Sequence, residues 1–235
     1  MPGPWCACPG LRRLRGRTGE PLRPRGVVVL PDVRGLYRFC IEPARRFAEH
    51  GHHAVVVDYY GPIAGAGERG PDFPVDEHMV LLTPSGLYDD LSAAVAHLRS
   101  PEGGARHRIV TAGFRIGGRP AVLAGTKRAG HGLAGTVGFH CRPAPGPDGS
   151  PGPTQRAGGL TAPVLALMAG DDPGIPPEHD HAFEHALAEA GVEHEVVTGP
   201  GAPHSFFDVR QDAHAEASAD AWRRVLAFAG RAAAG

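Results

Sequence analysis

The sequence predicts an α/β protein: an open, mostly parallel, doubly wound sheet flanked by helices. Two observations predict it. Short apolar runs alternate with longer stretches at helical spacing. The runs are also unbroken rather than alternating polar and apolar, as strands buried on both faces require. Strand–helix–strand units of this kind cross over right-handedly, which winds the sheet on both sides.

The elements follow in order from Gly26. Val27–Leu30 is a β-branched strand, and Pro31-Asp32-Val33-Arg34-Gly35 leads out of it into a helix from about Arg38 to His50. Leu36, Phe39, Ala44, Phe47 and Ala48 fall close to helical spacing there, and Gly51 stops it. His53–Asp58 is the next strand, and a Pro/Gly-rich loop follows from Gly61 to about Glu77. Thr83-Pro84 supplies an N-cap and a first-turn proline for a helix to about Arg99. Arg108–Ala112 is a strand, Gly117–Arg128 a helix and Leu133–Phe139 a strand. A second Pro/Gly loop fills Arg142–Gly159. A strand (Pro163–Ala169), a helix (Pro177–Ala190), a strand (Glu193–Thr198) and a helix from about Ala215 to Arg231 complete the chain.

Composition narrows the function. With 235 residues, one α/β domain over residues 26–235 has ample length for a core without a disulfide or metal staple. Twenty-four Lys+Arg against 25 Asp+Glu argue against a nucleic-acid binder. No apolar run approaches the roughly 20 residues that a membrane helix needs. Cys6, Cys8, Cys40 and Cys141 are too few and too scattered for a disulfide framework. Without a signal-peptide pattern they suggest a cytoplasmic protein, monomeric or homodimeric. Residues 1–25 carry Arg12, Arg13, Arg15, Arg17, Arg23 and Arg25 against the single acid Glu20, and they read as a basic, disordered leader. No metal is expected. Cys6 and Cys8 have no second pair, and His179, His181 and His185 lack the H-E-x-x-H pattern, reading as a solvated helix face. His52-His53 is expected at the surface.

Chemistry should sit in the loops after the strands' C-terminal ends. Gly113-Phe114-Arg115-Ile116-Gly117-Gly118, between a strand and a helix, has the form of a nucleophile elbow. Its glycines allow strand and helix to approach closely and let the central side chain stand up from a strained turn. An acid after a later strand and a histidine before the last helix follow in the chain order of an α/β-hydrolase triad.

The chain resembles the dienelactone hydrolase family of α/β-hydrolases. The segments that carry the resemblance run from "VVVLPDVRGLYRF" through "GFRIGGRPAVLAG", "PVLALMAGDDPGIPPE" and "AGVEHEVVTGPGAPHSFFD" to "DAWRRVLAFAG". It implies an α/β-hydrolase fold and a small-molecule lactone or carboxylic ester substrate, carboxylate-bearing ones included, with no cofactor. It places the family's aspartate at Asp172, its histidine at His204 and the acid that contacts the resting thiol at Asp32. The oxyanion-hole amides fall on Val33 and Ile116. The family's nucleophilic cysteine falls on Arg115, a guanidinium that offers donors and no attacking lone pair. The family also carries strands before "VVVLP", for which little sequence is available here.

Three readings follow. In the first, His204 held by Asp172 activates water directly, with Arg115 binding a substrate carboxylate or the oxyanion. In the second, the chain is a non-catalytic relative whose pocket binds a ligand or partner, with Arg115 anchored by Asp32. In a third, Cys141 is a displaced nucleophile, set against its plain reading as a small, partly buried side chain.

Overall fold

A computed structural model of the chain describes residues 5–7, 25–207 and 212–231. Most of the Arg-rich leader expected at the N-terminus lies outside the described residues. Residues up to Val110 form one compact unit and residues from Thr111 another.

The first unit contains β1 (Trp5–Ala7), β2 (Gly26–Leu30), α1 (Arg38–Glu49), β3 (His53–Val57), α2 (Gly61–Ala64), α3 (Val75–Met79) and α4 (Pro84–Arg99). Its strands lie in the order β1-β3-β2. β2 and β3 are parallel, with Val27 opposite Ala54 and Val29 opposite Val56. β1 pairs antiparallel with β3, Trp5 opposite Val57 and Ala7 opposite Val55. The short sequence before Val27 therefore does supply a strand at this edge. α4 starts where the sequence places it, with Thr83 Oγ1 accepting the Gly86 amide at 3.1 Å.

Two expectations in this unit need correction. His52 is buried rather than on the surface, its ring edge-on to Phe47 with centroids 6.0 Å apart. Burial, with Arg25 and His50 nearby, lowers its pKa to about 4. The Gly61–Glu77 segment is not plain loop: it contains α2 and the start of α3. It is pinned by Arg69, which donates to both oxygens of buried Asp58 at 3.0 Å, and by packing of the Tyr60, Phe73 and His78 rings.

The second unit takes up β4 (Ile109–Phe114) from Thr111 and continues with α5 (Gly118–Leu123), β5 (Gly135–Phe139) and α6 (Pro153–Arg156). β6 (Val164–Asp171), α7 (Pro177–Glu189), β7 (His194–Pro203) and α8 (Ala215–Arg231) complete it. The strand order is β4-β5-β6-β7, with β5, β6 and β7 parallel. α5 is half the length expected, ending before Gly125, and Thr126 caps a separate 3₁₀ turn over Lys127–Ala129. The Arg142–Gly159 loop, which contains α6, is anchored by Arg119. That guanidinium donates to the carbonyls of Ala144 (2.9 Å), Ser150 (2.9 Å) and Pro151 (3.0 Å).

β6 and β7 both run further than their apolar runs suggest. Their pairing continues, through an irregularity between Ala169 and Asp171, until Asp171 lies opposite Pro203. Gly170 permits this, since a Cβ there would stand 2.6 Å from the Gly199 carbonyl oxygen.

Candidate active site

Asp172 and His204 are each the residue immediately after the Asp171–Pro203 pair. The extended ladder thus delivers the two side chains to each other. His204 Nδ1–H donates to Asp172 Oδ2 at 2.5 Å, and the Gly174 amide donates to Asp172 Oδ1 at 2.8 Å. Both carboxylate oxygens are therefore engaged, and the Asp172 side chain is only 2% exposed. A carboxylate only accepts, so in the neutral imidazole this bond puts the proton on Nδ1 and the lone pair on Nε2. The His204 side chain is 39% exposed, so a reactant can approach it.

The elbow forms as its glycines dictate. A Cβ on Gly113 would stand 2.1 Å from the Gly117 carbonyl oxygen, and one on Gly118 would stand 2.5 Å from Cys141 Cβ. Arg115 sits in the left-handed region at φ +52°, the strained placement an elbow gives its central residue. His140 (φ +48°) and Ser205 (φ +69°) share that conformation. Of the four non-glycine residues with positive φ among those described, three therefore flank this site. The Arg115 guanidinium donates to Ser205 Oγ, beside His204. Ile116, next in the turn, exposes its side chain.

A row of aromatic rings sets the spacing. Phe114 stacks on Phe139 (4.6 Å), Phe139 on Phe207 (4.7 Å), and Phe207 packs near Trp222 of α8 (6.2 Å). Arg115 and His140 each directly follow a ring of this row, and Ser205 lies two residues before another. Stacked pairs contribute about 0.5–1.5 kcal/mol each beyond their burial, so the row makes a stiff floor.

In sequence His140 directly precedes Cys141, where the displaced-nucleophile reading would make it, or His204, the group that draws off the thiol proton. Its ring lies 5.5 Å from that of His204 and 4.9 Å edge-on from Phe206, centroid to centroid. Burial, with His204 and Arg115 nearby, pushes its pKa down to about 3. Ser205 had no signal beyond its place after His204.

Cys141 is a core residue. It is fully buried in a cluster with Val122, Phe183 and Leu187, and a Cβ on Gly138 would stand 2.7 Å from its sulfur. Burial, with Asp180 nearby, pushes its thiol up to about 12. Its thiolate is thereby suppressed at neutral pH, which disfavours the displaced-nucleophile reading. His181 and His185 lie exposed on α7 as expected, while His179 is half-buried.

Two of the singled-out residues belong to the first unit. Asp32, buried after β2, accepts from the Arg34 amide (2.9 Å) and from the Arg34 guanidinium at Nε (3.1 Å) and a terminal nitrogen (2.5 Å). That guanidinium also lies over the Tyr37 ring, 5.0 Å from its centroid. Nothing in the sequence singled out Arg34. The Val33 carbonyl accepts from Tyr60 OH at 2.6 Å. The turn closes at Gly35 (φ +66°), where a Cβ would stand 2.6 Å from the Tyr60 ring.

The model of the dienelactone hydrolase family matches residues 14–233. The chain belongs to the dienelactone hydrolase family. A Yersinia pestis protein named "Putative carboxymethylenebutenolidase" is 30% identical over 207 residues, spanning 85% of this chain and 75% of the relative. Among solved structures, a "Putative Dienelactone Hydrolase" from Klebsiella pneumoniae is 27% identical with a TM-score of 0.73, covering 88% of this chain and 87% of that one. A dienelactone hydrolase-like promiscuous phosphotriesterase from metagenomic libraries is 25% identical with a TM-score of 0.69, covering 89% and 86%. The fold is accordingly that of an α/β-hydrolase, an open and mostly parallel sheet flanked by helices, as the sequence predicted. Among the described residues, no helix is long and apolar enough to cross a membrane.

Proposed function

We propose that this member of the dienelactone hydrolase family hydrolyses a lactone or small carboxylic ester by direct attack of water, without a covalent enzyme intermediate. The observation that carries the reading is the 2.5 Å His204–Asp172 hydrogen bond beside an elbow whose central residue is a guanidinium. His204 Nε2 takes a proton from water as the water oxygen bonds to the carbonyl carbon. The amide of Ile116 and the charge of Arg115 stabilise the resulting oxyanion. Collapse breaks the bond to the leaving oxygen, which takes the proton back from His204. Asp172 holds the imidazole in the required tautomer and supports its transient charge.

Hydrolysis of p-nitrophenyl acetate and of simple lactones by the native chain and by His204→Asn tests this reading. Turnover that disappears in the variant supports it. The second reading, a non-catalytic relative that binds a ligand or partner, is favoured by the absence of any attacking group at position 115. A native chain that turns over neither class of substrate, at any pH where it is folded, would select that reading.

A further inference from the structure

We infer that His140 is a ligand-binding residue of this site, with one ring N–H donating to a carbonyl or carboxylate oxygen of the bound molecule. The inference rests on the proposed reading of the same site as an ester or lactone pocket. Three observations carry it. His140 is 4% exposed, and both its ring nitrogens are shut off from solvent with no hydrogen-bond partner. Buried polar groups are almost always paired, and an orphaned pair on one ring calls for a reason. The backbone at His140 is held left-handed at φ +48° directly after a ring of the stacked row, so the floor fixes where the imidazole starts. Its ring also lies 5.5 Å from that of His204 and 4.9 Å from that of Phe206, centroid to centroid, and His204 is next in sequence to Ser205, which Arg115 reaches.

The chemistry of the group fits a donor and not a second base. Burial and the nearby His204 and Arg115 disfavour its protonation, so it keeps one N–H and one lone pair at neutral pH. A neutral imidazole polarises a carbonyl without adding a second positive charge beside His204 when His204 takes up its proton. Access requires a neighbour to move. Arg115, half-buried and near enough to His140 to disfavour its charge, would do so by exchanging its bond to Ser205 for one to the incoming oxygen.

The test uses the full chain labelled with ¹⁵N-histidine, titrated with benzoate as a carboxylate probe. The expected result is movement of the His140 ring N–H and nitrogen signals together with those of His204. In His140→Phe, benzoate binding should weaken about tenfold, the effect of one lost hydrogen bond. His140→Asn, which tolerates the left-handed backbone and keeps a donor, should retain more of the binding than His140→Phe does. Signals of His204 that shift while those of His140 stay still, or equal affinity in His140→Phe, would overturn the assignment of His140 alone. A native chain in which benzoate moves neither histidine would overturn it together with the pocket reading. If His140 moves but p-nitrophenyl acetate is not hydrolysed, the hydrolase reading falls and His140 stands as a binding residue.

Discussion

Arg115 concentrates the chemical question in one side chain. It occupies the elbow's left-handed position with its glycines packed as an elbow requires, and its side chain carries no attacking atom. Replacing it should therefore restore covalent chemistry. Arg115→Cys is expected to raise p-nitrophenyl acetate hydrolysis by about tenfold or more, because a thiol there would meet His204 and lose its proton more readily. The comparison includes Asp32→Asn in the same background, since the family resemblance implies that this acid contacts the resting thiol, and a carboxylate there would hold a thiol protonated. A folded Arg115→Cys that binds ester but is no faster than the native chain in either background would show that more than the nucleophile has been lost. Asp172 offers the complementary test. Its two oxygens are committed to His204 and the Gly174 amide, so Asp172→Asn should leave the fold intact but favour the wrong tautomer. Turnover should fall by about 10⁴, as for the same change in a Ser-His-Asp triad. Unchanged turnover would remove His204 from the mechanism.

At the level of elements, most strands and helices were legible, because a continuous apolar run and a helical period each leave a local mark. The ends of β6 and β7 were not, although they bring Asp172 to His204. Gly170, Gly199, Pro200 and Gly201 all read as strand breakers, and the pairing that overrides them joins segments about 30 residues apart. The two catalytic candidates were legible individually, from motif resemblance, but their juxtaposition came from this ladder. α7 adds a second lesson and a measurable consequence. Asp180 lies in its first turn, where a negative charge is normally welcome. There it is buried with Oδ1 unpartnered, and burial together with Asp172 raises its pKa to about 6. The folded state thus holds its proton more tightly than the unfolded state does. The stability this contributes is fully present near pH 4 and is lost as pH rises through about 6. Asp180→Asn removes the titration. Its melting temperature should match the native chain's near pH 4 and exceed it increasingly towards pH 7, by roughly 2–4 °C per kcal/mol for a chain of this size. A difference that stays constant across that range would refute the burial argument.

Across the whole molecule, the fold class and family were legible because they are written in patterned segments from Val27 onward. The packing that tunes the site was not. The Phe114–Phe139–Phe207 row, the Arg119 anchor and the Arg34–Asp32 pair each join residues with no periodic relation in sequence. His52 went inside because its ring packs against Phe47, a contact that a polar residue name does not announce. The same molecule-wide view predicts what becomes of the acyl group during turnover. Position 115 cannot be acylated by an ester, since its guanidinium has no attacking lone pair. Cys141 is fully buried with its thiol pushed up to about 12, and Cys40 is buried with its sulfur 3.9 Å from the Asp32 carboxylate. Ser205 Oγ already accepts from Arg115. The intact mass of the native chain should thus stay unchanged through many turnovers of p-nitrophenyl acetate, while Arg115→Cys should gain one acetyl group under the same conditions. Any added mass is located by peptide mapping and must be shown to decay as product forms. An acetyl group that maps to Cys141 and turns over would restore the displaced thiol and end the direct-water mechanism. Steady hydrolysis with no transient adduct on any residue leaves water, drawn on by His204, as the attacking group.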